Sequence, residues 1–181
     1  MRKKVPLDIA YRLIGPGPVV LVSSTLGGRA GITPIAWNMP VSDEPPIVAL
    51  EIWRDHFIHK AILKTGDFVI NIPSSDMAPV VRKLGSVSGK SVDKFREFGL
   101  EKEASKKIRS PRLKSAMGIL ECRLRRDANL LKKYSVILGD VVYAEAEASV
   151  FTDRWCPEKK GPRLMHHLGG RIFSVPDKCI L

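Results

Sequence analysis

Cysteine is scarce in this chain: Cys122, Cys156 and Cys179 are odd in number and far apart. They form no Cys-x-x-Cys pair and no disulfide framework, a usage that points to a reducing cytoplasm. Histidine is nearly as rare, with four residues. His166 and His167 are adjacent, so on a strand they face opposite sides. His56 and His59 can share a helix face but have no Cys or carboxylate at metal-site spacing, so no zinc or iron centre is expected. Gly-x-Ser-x-Gly elbows and Walker loops are missing too. Arg, Asp or Gly interrupts every apolar run, so no membrane-spanning helix is expected. Met1-Arg2-Lys3-Lys4-Val5 begins basic with no apolar stretch behind it, so no signal peptide is read there. Cys179-Ile180-Leu181 places its Cys one residue too late for a prenylation box.

What is present is an ordinary globular composition with an excess of positive charge. The 181 residues, 44% hydrophobic and 27% charged, suit one compact domain that can bury a core without metal or disulfide. The formal net charge is +11, with much of the excess in residues 102–114 and 123–133. Such a balance attracts nucleic acid, anionic membranes or phosphorylated small molecules. Neither segment has the aromatic interleaving of single-strand binders, so both read first as a solvated basic face. Neither a membrane nor a nucleic-acid partner is expected.

Along the chain the signals are those of short strands and few helices. Residues 18–25 (PVVLVSST) read as a buried strand. Gly27-Gly28 supplies the positive φ of a tight hairpin, and residues 32–39 return as a second strand with Thr33, Ile35, Trp37 and Met39 on one face. Asp43-Glu44-Pro45-Pro46 breaks the chain before a third strand, 47–52, which gives a β-meander opening. A helix is predicted over 55–64, capped by Asp55 and ended at Gly66. A strand follows at 67–72, then a helix capped by Ser74 or Ser75 and running to Leu84. Residues 85–113 are polar and basic, with a short helix at 94–98. Strands resume at 118–126 and at 134–151, where Ala144-Glu145-Ala146-Glu147-Ala148 alternates with period two despite its helix formers. Residues 1–14 are an N-terminal extension, 152–168 an exposed loop, and 169–175 a last strand. The sum is a mainly antiparallel barrel with a few flanking helices.

Residues able to carry chemistry cluster around the second strand. Trp37 can pack a flat ring while Asn38, pointing oppositely, offers an amide; Thr33 adds a hydroxyl. Trp53 and Arg54 precede the predicted helix start at Asp55, and a helix N-terminus there suits a phosphate. Gly27-Gly28-Arg29 joins two strands and reads as a hairpin, not as a phosphate loop.

The run from Pro18 to Thr25, then Gly31-Ile-Thr-Pro-Ile-Ala-Trp-Asn38, Pro45-Pro-Ile-Val and Thr65-Gly-Asp-Phe-Val-Ile-Asn-Ile-Pro73, resembles the flavin reductase-like family, which includes flavoredoxins. Gly85-Ser-Val-Ser-Gly-Lys-Ser-Val-Asp-Lys-Phe95 resembles it as well, and Gly139-Asp-Val-Val142 and His167-Leu-Gly-Gly-Arg-Ile-Phe173 fit it more loosely. The resemblance implies an FMN-binding split β-barrel, Greek-key-like, working as a homodimer. It implies electron transfer from NAD(P)H through FMN to an acceptor, either a small molecule or a redox partner protein. By position, Thr33, Ala36, Trp37 and Asn38 would border the isoalloxazine and ribityl chain. Glu51, Ile52 and Trp53 would border the cofactor through backbone. His56, Phe57 and His59 would lie near the phosphate, and Ser88, Gly89 and Lys90 would form a loop over it. No catalytic acid or base is assigned. Relatives often carry Asn at the place of Gly31, a hydroxyl at the place of Pro34 or Ile58, and Arg at the place of His56. If His56 contacts the phosphate, binding weakens as pH rises through its pKa. Two further readings stay open: an electron-transfer flavoprotein with little NAD(P)H activity, and a flavin-free basic nucleic-acid-binding barrel.

Overall fold

The structure is a computed structural model that describes residues 4–157 and 160–177. The readings made on Met1 to Lys3 and on Cys179 to Leu181 lie outside the described residues. After a 3-10 helix at Leu7–Leu13 come strands β1 (Gly17–Pro18), β2 (Val20–Leu26), β3 (Arg29–Ile35), β4 (Asn38–Asp43) and β5 (Pro46–Glu51). Helix α1 (Phe57–Thr65), strand β6 (Asp67–Ile72), a 3-10 turn (Ser75–Met77), helix α2 (Ala78–Ser86) and helix α3 (Lys94–Glu97) follow. The chain ends with β7 (Lys102–Glu103), β8 (Arg112–Leu113), β9 (Gly118–Arg125), helix α4 (Ala128–Tyr134), β10 (Val136–Ala146), β11 (His166–Gly169) and β12 (Ile172–Ser174).

Seven strands form one antiparallel sheet in the order β3-β2-β6-β9-β10-β5-β4. β3 and β4 are consecutive in the chain yet occupy opposite edges, joined only by Ala36 and Trp37. Two residues cannot span a flat seven-stranded sheet, so the sheet curls until its edges meet there. Closure at one end and parting elsewhere make a split barrel. Asn38 pins the seam, its Nδ2 donating to the carbonyls of Pro18 (2.9 Å) and Ile35 (3.3 Å). The expected single strand over 32–39, and the meander it completed, are therefore corrected. Local alternation carries no information about which neighbour a strand pairs with.

Strand parity sorts the core in two. Val20, Val22, Phe68, Ile70, Cys122 and Ile137 point into the barrel, where Ile58 and Ile62 of α1 plug one end. Leu21 and Ile32 point outward against Val81, Leu84, Phe95 and Leu113. Burial pushes the Cys122 thiol pKa far up, so it is inert at neutral pH. The first basic segment lies on the outer face and is held by buried polar groups. Glu121, fully buried, accepts from the backbone N–H of Lys106 and Lys107 and from Arg112 Nε, each at 2.7 Å. Asp67 accepts from Ser110 N at 3.0 Å, and Asn71 Oδ1 from Leu113 N at 2.8 Å.

Other expectations are revised by capping and docking. α1 begins at Phe57; Asp55 accepts from the Trp53 indole at 3.3 Å and makes no cap, while Gly66 ends the helix at φ 81° as expected. α2 begins only after the 3-10 turn, with no side-chain cap from Ser74 or Ser75. Residues 128–134, overlapping the second basic segment, form α4 with Asp127 as its cap, a helix hidden by the run of charge. The long last strand starts at Val136 and stops at Ala146, where 147–150 turn back; period two does win over helix propensity up to that point. The 152–168 loop is not uniformly exposed, since Cys156 and Met165 are buried and His166 opens β11. The expected strand 169–175 is β12 and the turn before it, and β12 pairs with β11 in a small sheet with β1.

Removing Glu121 takes the one buried carboxylate from Arg112, which keeps Glu103 and Glu145, and leaves the Lys106 and Lys107 N–H groups without their acceptor, a class of change that costs about 3–5 kcal/mol. Glu121→Ala is expected to lower unfolding stability by that amount in urea titrations at neutral pH; a loss below about 1 kcal/mol, as for a surface pair, would contradict the role given to this network.

Candidate functional site

The edge strand β3 runs between cavities. The first, about 280 Å³, is lined by Thr33, His56, Phe57, Ser88, Gly89 and Lys94 among others. Phe57 organises it. A Cβ at Gly31 would stand 2.5 Å from the Phe57 ring, and one at Gly89 would stand 3.2 Å from Phe57 Cβ. The Arg29 guanidinium covers the ring at 4.5 Å. The ring thus takes the volume that any side chain at position 31 would need, which accounts for Gly there.

One cation, Lys94, lines this cavity. Lys94, only 4% exposed, donates to the Leu84 carbonyl at 2.6 Å. Burial lowers its pKa to about 8, so it keeps its charge at neutral pH. His56 is held below the usual imidazole range by burial, and then by Lys94 and Lys90. It stands at the N-cap of α1 and makes no side-chain cap bond to the first-turn N–H groups of this nine-residue helix. A buried ammonium beside an uncapped helix N-terminus is chemistry for an anion.

A second cavity of about 750 Å³ shares Gly85 and Ser86 with the first and continues along β3 past Pro34 to Ala36. Its far walls are α2 and the β11–β12 hairpin. A third, about 390 Å³, lies at the barrel seam and is lined by Tyr11, Trp37, Asn38, Met39 and Glu51 among others. There Trp37 stands edge-on to Tyr11 with ring centroids 5.3 Å apart. Burial raises the Glu51 pKa.

The structure therefore brings Thr33, His56, Phe57, Ser88 and Gly89 together and puts Ala36 on both larger cavities. Trp37, Asn38 and Glu51 meet at the seam instead, where the Asn38 N–H groups are engaged by backbone. Ile52 is fully buried in the barrel core, Trp53 is exposed, and Lys90 is exposed with its carbonyl accepting from Arg29 at 3.4 Å. His59 is buried with Nε2 unpartnered among the described residues, and burial, then Arg54, lowers its pKa. Lys94 escaped sequence reasoning. Lys90 and Lys94 are four apart in one polar stretch, and only the Asp93 cap and the burial of Phe95 turn Lys94 inward.

Comparison with known proteins agrees with this architecture. A sequence model described as the flavin reductase like domain matches residues 13–170. The uncharacterized protein YddH of Escherichia coli (strain K12) is 32% identical over 186 residues, which is 99% of this chain and 98% of that protein. The FMN-binding domain of a flavin reductases-like enzyme from Shewanella baltica OS155 has a TM-score of 0.86 at 25% identity, covering 98% of this chain and 95% of that one. Flavoredoxin of Desulfovibrio vulgaris (Miyazaki F) has a TM-score of 0.84 at 21% identity, covering 100% and 96%, and shares the fold. The mainly antiparallel barrel with flanking helices is the split barrel of these proteins, and the chain belongs to the flavin reductase-like family.

Proposed function

We propose that the chain is an FMN-binding oxidoreductase that passes electrons from NAD(P)H to an acceptor, acting as a cytoplasmic homodimer. The observation that carries the reading is the buried Lys94 ammonium, which lines a cavity at the uncapped start of α1 and has one carbonyl as its partner among the described residues. These groups fit the FMN phosphate. Thr33, Ser88 and Gly89 would flank the ribityl chain, and the larger cavity beyond Ser86 has room for the ring. When bound, FMN supplies the redox chemistry, and the protein's part is to hold and orient it. His56 is a weaker phosphate partner than the sequence implied. Burial, then Lys94 and Lys90, hold its pKa below the usual imidazole value and disfavour the cationic form that would attract a phosphate.

A homodimer is supported by the apolar surface at the seam. Ile14 is 90% exposed, Met39 58% and Trp37 50%, around an apolar cavity beside the edge strand β4. A second copy would bury this patch. The reading as an electron carrier for an acidic protein rests on the basic surface alone. Anaerobic addition of NADH or NADPH separates the two, since only a reductase bleaches quickly.

Added FMN is expected to be taken up, with affinity steady near neutrality and falling as pH rises through about 8, where Lys94 loses its proton while the phosphate stays dianionic. Lys94→Met should weaken binding by about 1.5–3 kcal/mol, roughly tenfold to a hundredfold or more, and flatten that profile. Absorbance titrations that find no uptake, or the same pH profile in both proteins, would overturn the assignment. Sedimentation equilibrium should find a dimer that Met39→Asp shifts toward monomer; a wild-type monomer at micromolar concentration would refute the seam interface.

A further inference from the structure

The flavin reading leaves charge unaccounted for in the larger cavity. Arg82 and Lys83 of α2 and Arg171 of the β11–β12 turn line it, and no carboxylate does. All three are exposed side chains, and none forms an ion pair among the described residues. FMN brings one anionic group, already matched at Lys94, and its ring is uncharged. On the side away from β3, Phe173 of β12 gives the same cavity an apolar wall suited to a flat ring. A ligand that matches both features carries an aromatic base and several phosphates.

We infer that this cavity takes the phosphate-bearing half of the nicotinamide dinucleotide, and that Arg82 and Arg171, with Lys83, select NADPH over NADH through the additional ribose phosphate. The inference rests on the proposed flavin site and goes beyond it to the donor. That phosphate adds close to two negative charges at neutral pH. Guanidinium forks match its oxygens with directed N–H groups. The two arginines line the cavity from separate elements, α2 and the β11–β12 turn.

The test uses FMN-loaded protein titrated with NADP+ and NAD+, which bind without turnover, followed by flavin fluorescence. Wild type is expected to bind NADP+ about tenfold or more tighter than NAD+. Arg82→Ser/Arg171→Ser should remove that preference, leaving the NAD+ affinity within about twofold. A second variant, Lys132→Ser/Lys133→Ser, removes equal charge from α4 and should leave NADP+ binding intact. Equal affinities in wild type, no binding of either dinucleotide, parallel loss of both in the arginine variant, or equal loss in the α4 variant would overturn the inference while the flavin site stands. Failure of wild type to take up FMN would overturn both.

Discussion

The Phe57 ring lies where a side chain at position 31 would have to be, and the groove depends on that packing. Gly31 belongs to edge strand β3, Phe57 begins α1, and Gly89 belongs to the loop after α2. One ring, covered by Arg29, therefore sets the spacing of three elements that share no backbone pairing. The cavity between them exists because this contact holds them at a fixed distance. It also aims the uncapped end of α1 at the space that Lys94 enters from α3. Side chains in close-packed interiors transmit such constraints because nothing nearby can yield without loss of contact.

The seam at Ala36 and Trp37 is the second constraint. It brings the two sheet edges together and leaves β3 without a strand partner on its other side, so its flank is open to the groove. Ala36, at the crossing, touches both the groove and the seam cavity. On the opposite face, the buried Glu121–Arg112 and Asp67–Ser110 contacts keep the basic segment on the sheet, with the Arg112 guanidinium built into the interior.

Legibility in the sequence followed the range of the interactions. The Gly27-Gly28 hairpin, the Gly66 cap and strand 67–72 depend on neighbours in the chain and could be read directly. So could the alternation that keeps Ala144 to Ala146 in a strand. The break at Ala36 and Trp37 could not, because it follows from pairing with residues far away in sequence. The family resemblance pointed to the β3 region and to the loop at Ser88, and the absence of Asn at position 31 was visible. Its cause, the ring of a residue twenty-six positions later, was not. The burial of Lys94 is illegible for the same reason: Lys90 and Lys94 are both lysines in a polar stretch, and only the docking of α3 distinguishes them.

The central claim is that the groove along β3 holds FMN with its phosphate at the Lys94 end. A crystal structure of the FMN-loaded protein tests it directly. The account predicts phosphate oxygens within hydrogen-bonding distance of Lys94 Nζ and the first-turn N–H groups of α1, with the ring beyond Ser86 toward Ala36. A phosphate bound elsewhere, or a flavin lying wholly in the seam cavity at Trp37 and Glu51, would contradict it.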